Sequence, residues 1–182
     1  DGVMYVTERP NSVMAVDAVT GRVYWKYRHQ NADNALVCCG ANNRGVAVLN
    51  DKVYMGTLDA HLVALDRVNG QLLWEAEVGD VNLAYSVTMA PLAVKDKILV
   101  GVGGGEFGIR GYVAAFNAET GEQAWKTYTI PGPGEANHDS WEGDDWEHGG
   151  APVWITGSFD SDLNLTYWGV GNPGPDWNAG QR

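Results

Sequence analysis

The sequence is poor in basic residues and in long apolar runs, and each shortage excludes a class of protein. Its 182 residues include 12 lysines and arginines against 23 aspartates and glutamates, which gives a formal net charge of -11. Nucleic-acid binding needs clustered cations to neutralise phosphates, so we expect no nucleic-acid partner. The longest apolar runs, such as residues 97–102, are far shorter than the roughly 20 residues of a membrane-spanning helix. We therefore predict no transmembrane segment.

Cysteine is also scarce, and the only two cysteines, Cys38 and Cys39, are adjacent. Free cysteine packs as a small apolar residue, so one interpretation is a pair of buried, reduced thiols. The other interpretation is a disulfide between neighbours, a strained ring that forces an unusual turn and belongs where function needs it. The pair by itself leaves both interpretations open.

Glycine and tryptophan, in contrast, are abundant, with 24 and 8 residues. Glycine suits tight turns between short strands, and tryptophan supplies a large packing area. Three segments align without gaps and share an Asp or Asn, a Gly and a terminal Trp: residues 16–25, 65–74 and 116–125. Their terminal tryptophans, at positions 25, 74 and 125, are therefore 49 and then 51 residues apart.

An alternating strand signature precedes each repeat, at residues 3–7, 52–56 and 97–101, and a further one at 165–169 opens a fourth unit. Four-stranded units that recur every 40 to 50 residues are typical of β-propeller blades, because one such sheet cannot bury both of its faces alone. Hairpins of a β-sandwich would also alternate, but they do not explain the fixed register of Asx, Gly and Trp. We predict an all-β propeller of about three and a half blades, in which residues 1–182 form a single partial domain of a larger protein.

Residues 131–150 form an acidic stretch with six carboxylates and two histidines. The spacing of these side chains matches no recognised metal-binding pattern. Long loops are mostly surface features, so we expect an ordered acidic insertion between blades. The other two histidines, His29 and His61, show no recognisable pattern.

The repeat with its terminal tryptophan resembles the tryptophan-docking motif of the eight-bladed quinoprotein dehydrogenases, which use pyrroloquinoline quinone (PQQ). It also resembles non-enzymatic propellers of the outer-membrane assembly machinery, and four further motifs distinguish the two. Residues 38–45 resemble the dehydrogenases' vicinal-disulfide and arginine segment, and residues 103–122 their segment with a metal-binding glutamate. Residues 149–160 resemble the stretch whose tryptophan lies under the PQQ ring, and residues 167–178 the stretch whose asparagine binds the metal. The resemblance covers essentially the whole chain.

The resemblance implies a sandwich around the planar cofactor. Cys38 and Cys39 would form a disulfide over one face of PQQ, and Trp154 would stack on the other face. A flat, polarisable quinone gains contact area from both an indole and sulfur. Arg44 would direct its guanidinium at the quinone oxygens, where a fixed cation stabilises developing negative charge.

Five further residues complete the implied site. Thr88 would hydrogen-bond a carboxylate of PQQ, and Gly104 and Gly105 would let the backbone approach the cofactor closely. Glu106 and Asn172 would supply oxygen ligands to Ca²⁺ or to a lanthanide ion.

At two positions the sequence departs from the methanol-oxidising members of the family. Gly103 stands where those members have a serine, and Pro152 stands where they have a threonine; each lost hydroxyl would have met a cofactor carboxylate. The motifs at 149–160 and 167–178 look closer to the broader alcohol dehydrogenase branch.

The implied function of the intact protein is the oxidation of a primary alcohol, with hydride transfer to PQQ and electrons passing to a cytochrome c. In the family the base is an aspartate well beyond the asparagine motif. The resemblance therefore places no catalytic residue in this chain, which would be inactive alone, and assigns no such role to the aspartates at 139, 144, 145 and 176.

A disulfide belongs to an oxidising compartment, and the bacterial periplasm fits a secreted quinoprotein. The alternative function is a non-enzymatic propeller that acts as a periplasmic assembly scaffold. Such a protein would keep the tryptophan repeats but would not need the cysteine pair, Arg44, or Glu106 and Asn172.

Overall fold

The computed structural model describes residues 2–176, which consist mainly of short strands, turns and loops. The last two residues of the motif at 167–178 lie outside this range. Within it, the helical segments are short 3₁₀ turns: Val81–Leu83, Gly105–Phe107, His138–Ser140 and Asp145–His148. No helix in the described part of the chain has the length and apolar character needed to cross a membrane.

The strands of residues 2–176 form antiparallel sheets in which neighbours in sequence are neighbours in space. The first sheet has three strands: β1 (Val3–Glu8), β2 (Ser12–Asp17) and β3 (Val23–Arg28). The second has four: β4 (Ala47–Leu49), β5 (Lys52–Gly56), β6 (His61–Asp66) and β7 (Leu72–Glu77). The third also has four: β8 (Leu92–Val94), β9 (Lys97–Gly101), β10 (Tyr112–Asn117) and β11 (Gln123–Tyr128). A two-stranded sheet, β12 (Ser158–Asp160) and β13 (Leu165–Tyr167), follows.

The repeated Asx–Gly pattern forms the same turn in each of the three larger sheets. Asp66 Oδ1 accepts hydrogen bonds from the amides two and three residues later, at 2.8 and 3.0 Å, and Gly70 has a φ of 74°. Asp17 and Asn117 cap their own turns in the same way. Because an Asx side chain imitates a backbone turn and glycine accepts positive φ without strain, this local chemistry sets the repeat.

Two of the repeat tryptophans pack on the turn glycine of the next sheet. A Cβ placed on Gly70 would lie 2.5 Å from Trp25, and one on Gly121 would lie 2.7 Å from Trp74, so only glycine fits beneath either indole. The Nε1 groups of these tryptophans donate to backbone carbonyls of the same turns, at 3.1 and 3.2 Å. Trp125, in the third sheet, is 42% exposed. The predicted stacking of propeller blades through tryptophan is confirmed.

The hydrophobic core lies between neighbouring sheets, as β5 illustrates. Val53 and Met55 pack into the cluster shared with the first sheet, whereas Tyr54 packs into the cluster shared with the third. Every residue of β5 is buried. A strand covered on both faces has no solvated side, which explains why the repeats carry nearly continuous apolar runs.

Candidate functional site

A cavity of about 700 Å³ is lined by residues from five segments of the chain, which connect or follow strands of all four sheets. The residues predicted from the sequence all lie in its wall: Cys38, Cys39, Arg44, Thr88, Gly104, Gly105, Trp154, Glu106 and Asn172. The stacking of the sheets brings these segments together, because the loops meet at one place although they are far apart in sequence. The binding roles of these residues stay predictions.

Cys38 and Cys39 form a disulfide, which supports the oxidised interpretation of the pair. Cys39 has a φ of 67° and Gly40 a φ of 89°, so two consecutive residues adopt the left-handed conformation. The Asn42 side chain donates to the Cys39 carbonyl at 2.9 Å, and Arg9 donates to the Asn42 carboxamide oxygen at 2.6 Å. The cysteine turn is therefore held by Asn42, which Arg9 in turn holds in place.

The segment that leads to the cysteines is anchored to the second sheet by Asp59. This buried carboxylate accepts hydrogen bonds from His29 Nε2 at 3.0 Å and from the Ala32 amide at 2.9 Å. Burial alone would raise the pKa of Asp59, but the hydrogen bonds from His29 and the Ala32 amide, together with the nearby side chains of His61 and Thr57, outweigh burial and lower the pKa below its usual value. The ionised form is the one that holds the segment in place.

Arg44 bridges Thr88 and Trp154. Its amide and its Nη1 donate to the Thr88 carbonyl at 3.1 and 3.2 Å. Its guanidinium carbon lies over the Trp154 indole, 5.0 Å from the ring centroid, which is a cation–π distance. A planar ligand that stacks on this face of Trp154 therefore requires the guanidinium to move towards the edge of the ring.

The glycine run before Glu106 lies against neighbouring backbone and side chains. Gly104 has a φ of 115°, and a Cβ there would lie 2.3 Å from the Ala84 carbonyl oxygen. A Cβ on Gly105 would lie 2.8 Å from the Pro152 ring. Glycine at both positions lets the 3₁₀ turn Gly105–Phe107 approach the cavity. The exposed carboxylate of Glu106 lies within 4.8 Å of the cysteine sulfurs.

Trp154 and Asn172 are held beside each other by two backbone contacts. The Ala151 amide donates to the Asn172 carbonyl at 2.7 Å, and the Gly171 amide donates to the Pro152 carbonyl at 2.8 Å. These bonds join the segment that leads to the indole with the segment that carries the carboxamide. Trp154 is 41% exposed, so its ring is accessible from the cavity.

Ser86 is a cavity residue that the sequence analysis missed. A Cβ placed on Gly103 would lie only 2.9 Å from Ser86 Oγ, and the two residues pair through a backbone bridge. The Ser86 hydroxyl thus lies beside Gly103, and a side chain at that position would crowd it. Asp176 also lines the cavity. The alternation of hydroxyls at Ser86 and Thr88 is the only signal in the sequence that pointed to Ser86.

The family profile described as "PQQ: Glucose/ethanol/alcohol dehydrogenase, beta-propeller domain" matches residues 1–182. The chain belongs to this family. The quinoprotein alcohol dehydrogenase PedH of Pseudomonas putida is 41% identical over 100% of this chain. The lanthanide-dependent methanol dehydrogenase of Methylacidiphilum fumariolicum is 41% identical over 98% of it.

A solved structure of this quinoprotein family, a europium-containing methanol dehydrogenase, matches the whole chain with a TM-score of 0.92 and 38% identity, and the match covers 35% of that protein. The two curated relatives above are each covered over 33% of their length. The chain therefore spans about a third of the relatives it matches. The predicted family and the predicted propeller fold are both confirmed.

The disulfide gives a direct test of the site. We expect alkylation of the denatured protein without reductant to label neither Cys38 nor Cys39, because both sulfurs are already bonded. Alkylation after reduction should label both, which serves as the control for access. Mass spectrometry that finds two labelled thiols in the untreated protein would contradict the oxidised pair and the oxidising compartment inferred from it.

Proposed function

We propose that the protein containing this chain oxidises a primary alcohol with PQQ and a bound metal ion, and that residues 1–182 are part of a single propeller domain in it. The observation that supports the proposal most strongly is the meeting of four separate sequence motifs around one cavity. Four motifs matched by chance would have no reason to converge in space.

The residues of the cavity fit a planar, anionic quinone. An exposed indole, Trp154, and the Cys38–Cys39 disulfide both line the cavity and supply apolar, polarisable contact surface. Arg44 supplies a positive charge at the indole. The hydroxyls of Ser86 and Thr88, which lie on the wall near Gly103, are suited to donate hydrogen bonds to a carboxylate.

Glu106 and Asn172 fit a hard cation, because both present oxygen atoms at the cavity. Two protein ligands are too few for such a cation, since Ca²⁺ alone takes six to eight oxygen ligands. We propose that the remaining ligands come from the cofactor and from residues outside this chain. A lanthanide is supported as one candidate by the relative from Methylacidiphilum fumariolicum, which is named as lanthanide-dependent.

When bound, PQQ would accept the hydride of the alcohol and the metal would act as a Lewis acid. The residues of this chain would position the cofactor ring and stabilise the charge that develops on it. Arg44 would stabilise negative charge at the edge of the quinone, and the disulfide and Trp154 would hold the ring plane and exclude water. We propose that the base that removes the hydroxyl proton lies outside this chain, so that the chain alone is inactive.

We further propose a periplasmic location and a cytochrome c as electron acceptor. The location is supported by the disulfide, since such bonds persist in oxidising compartments. Both proposals extend to the whole protein, of which this chain would be one part.

Reconstitution of the full-length protein tests the proposal. We expect the purified apoprotein to bind PQQ one-to-one only when Ca²⁺ or La³⁺ is present, to show quinone absorbance, and to reduce an artificial electron acceptor when a primary alcohol is added. A sample with chelator in place of metal is the control. Full-length protein that folds but retains no quinone with either metal would favour the assembly-scaffold alternative.

A further inference from the structure

A second group of ionisable side chains lies apart from the cavity. It joins His29, which follows β3, with His61 at the start of β6 and Glu75 on β7. One ring nitrogen of each histidine and one carboxylate oxygen of Glu75 lie within 4.8 Å of one another. The three residues come from two different sheets and are not among those that line the cavity.

Asp59 orders the two imidazoles from one side. Its carboxylate lies 3.0 Å from His29 Nε2 and 3.7 Å from His61 Nδ1. An ionised carboxylate can only accept, so His29 Nε2 carries the proton of this hydrogen bond, which leaves His29 Nδ1 with its lone pair when the ring is neutral. A carboxylate that fixes the tautomer of a histidine in this way is the usual outer partner of a metal-binding histidine.

Glu75 approaches the cluster from the side of His61 Nε2. His61 Nε2 lies 3.9 Å from Glu75 Oε1. His29 Nδ1 lies 3.5 Å from the Tyr27 hydroxyl. One ring nitrogen of each histidine and one carboxylate oxygen of Glu75 thus border the same small volume.

The hydrogen bonding of the cluster is incomplete. His61 Nδ1 is buried and has no hydrogen-bond partner within residues 2–176, since its distance to Asp59 exceeds hydrogen-bond length. A buried polar atom of this kind costs free energy unless a further group satisfies it. A small rotation of His61 that completes its bond to Asp59 would keep its Nε2 near Glu75.

We propose that His29, His61 and Glu75 bind a Zn²⁺-like divalent cation, with Asp59 as the positioning residue for both imidazoles. Two histidines and one glutamate are a known zinc ligand set, which leaves one position for water. Ligand atoms about 2.1 Å from a tetrahedral metal lie about 3.4 Å apart, so the cluster must contract slightly. The side chains of His61 and Glu75 are 28% and 35% exposed and have room for this movement.

The competing explanation is an ion-pair network without metal, in which a protonated His61 lies between Asp59 and Glu75. The two explanations differ in their response to added metal. An ion-pair network is indifferent to Zn²⁺, whereas a metal site binds one ion and raises the thermal midpoint of unfolding as free Zn²⁺ increases.

Calorimetry of the full-length protein, reconstituted with PQQ and Ca²⁺ so that the cavity site is filled, tests the proposal with ZnCl₂ as the probe. We expect one Zn²⁺ site in the unmodified protein, and at least about tenfold weaker binding at that site in His61→Gln and in Glu75→Gln. His148→Gln and Glu122→Gln, which change an exposed histidine and an exposed glutamate elsewhere, should bind Zn²⁺ as the unmodified protein does.

Co²⁺ provides a second readout, because a tetrahedral site with imidazole ligands gives an intense visible absorption that an all-oxygen site does not. We expect this absorption in the unmodified protein and its loss in both cluster variants. Thermal melting in the presence of chelator shows whether each variant is folded. Because the two variants remove different ligands, loss of Zn²⁺ binding in both would not be due to a single misfolded variant. Folded protein that binds no Zn²⁺, or variants that bind Zn²⁺ and Co²⁺ as the unmodified protein does, would overturn the metal site in favour of the ion-pair network.

Discussion

Replacing Glu106 by Gln in the full-length protein is expected to lower metal-dependent alcohol turnover by at least about 10³-fold. The amide keeps the shape of the side chain and one oxygen, but it loses the negative charge that a hard cation needs from its ligands. Glu106 is one of only two side chains of this chain predicted to bind the metal, so little in residues 2–176 would compensate for it. The measurements are kcat and the metal content of the reconstituted protein, with Ca²⁺ and with La³⁺.

Glu122→Gln is the matched control for this prediction, because it makes the same change at an exposed glutamate in the turn before β11. Its kcat and metal content should equal those of the unmodified protein. If Glu106→Gln retains full metal content and loses less than about twofold in kcat, Glu106 is not a metal ligand and the assignment of the glycine-rich motif is wrong.

Replacing Arg44 by Lys should lower kcat by about 10²-fold while PQQ content falls much less. Lysine keeps the charge, but it lacks the planar fork that donates to the Thr88 carbonyl while lying over the Trp154 ring. The ammonium would therefore be poorly placed to stabilise charge on the quinone. Turnover and bound quinone, measured on the same preparation, separate the two effects.

Arg28→Lys, at an exposed arginine at the end of β3, is the control for a general effect of losing a guanidinium. An unchanged kcat in Arg44→Lys would rule out a role for the guanidinium in charge stabilisation. A loss of quinone in proportion to the loss of turnover would instead assign Arg44 to cofactor retention.

The position of Arg44 adds a structural detail to these predictions. The guanidinium lies on the indole face that a planar cofactor would need. Cofactor binding and movement of Arg44 are therefore linked, and lysine, whose cation–π contact has a different geometry, would alter both. The Thr88 carbonyl accepts two hydrogen bonds from Arg44, and the bond from the Arg44 amide can persist while the guanidinium moves.

The fold could be predicted from the sequence because its determinants are local. The Asx side chain, the turn glycine and the tryptophan of each repeat lie within ten residues of one another, and they form the same turn in three successive sheets. Local hydrogen bonds and positive φ depend on residue type and not on distant partners. The short first strands of the later sheets, β4, β8 and β12, carry no such repeated signature and were not predicted.

The amino-acid sequence by itself determined the blade repeat, the family and the set of candidate residues, since each rests on short contiguous motifs. Only the tertiary structure decided which residues meet across blades: Ser86 beside Gly103, Arg44 over Trp154, and His29 with His61 and Glu75 around Asp59. Ser86 and Gly103 are 17 positions apart, His29 and His61 are 32 apart, and Arg44 and Trp154 are 110 apart, so these pairs follow no common spacing. The physical reason is that burial of both faces of each blade makes the sheets stack, and the stacking fixes which loops meet. Contacts between loops leave no periodic pattern in the sequence.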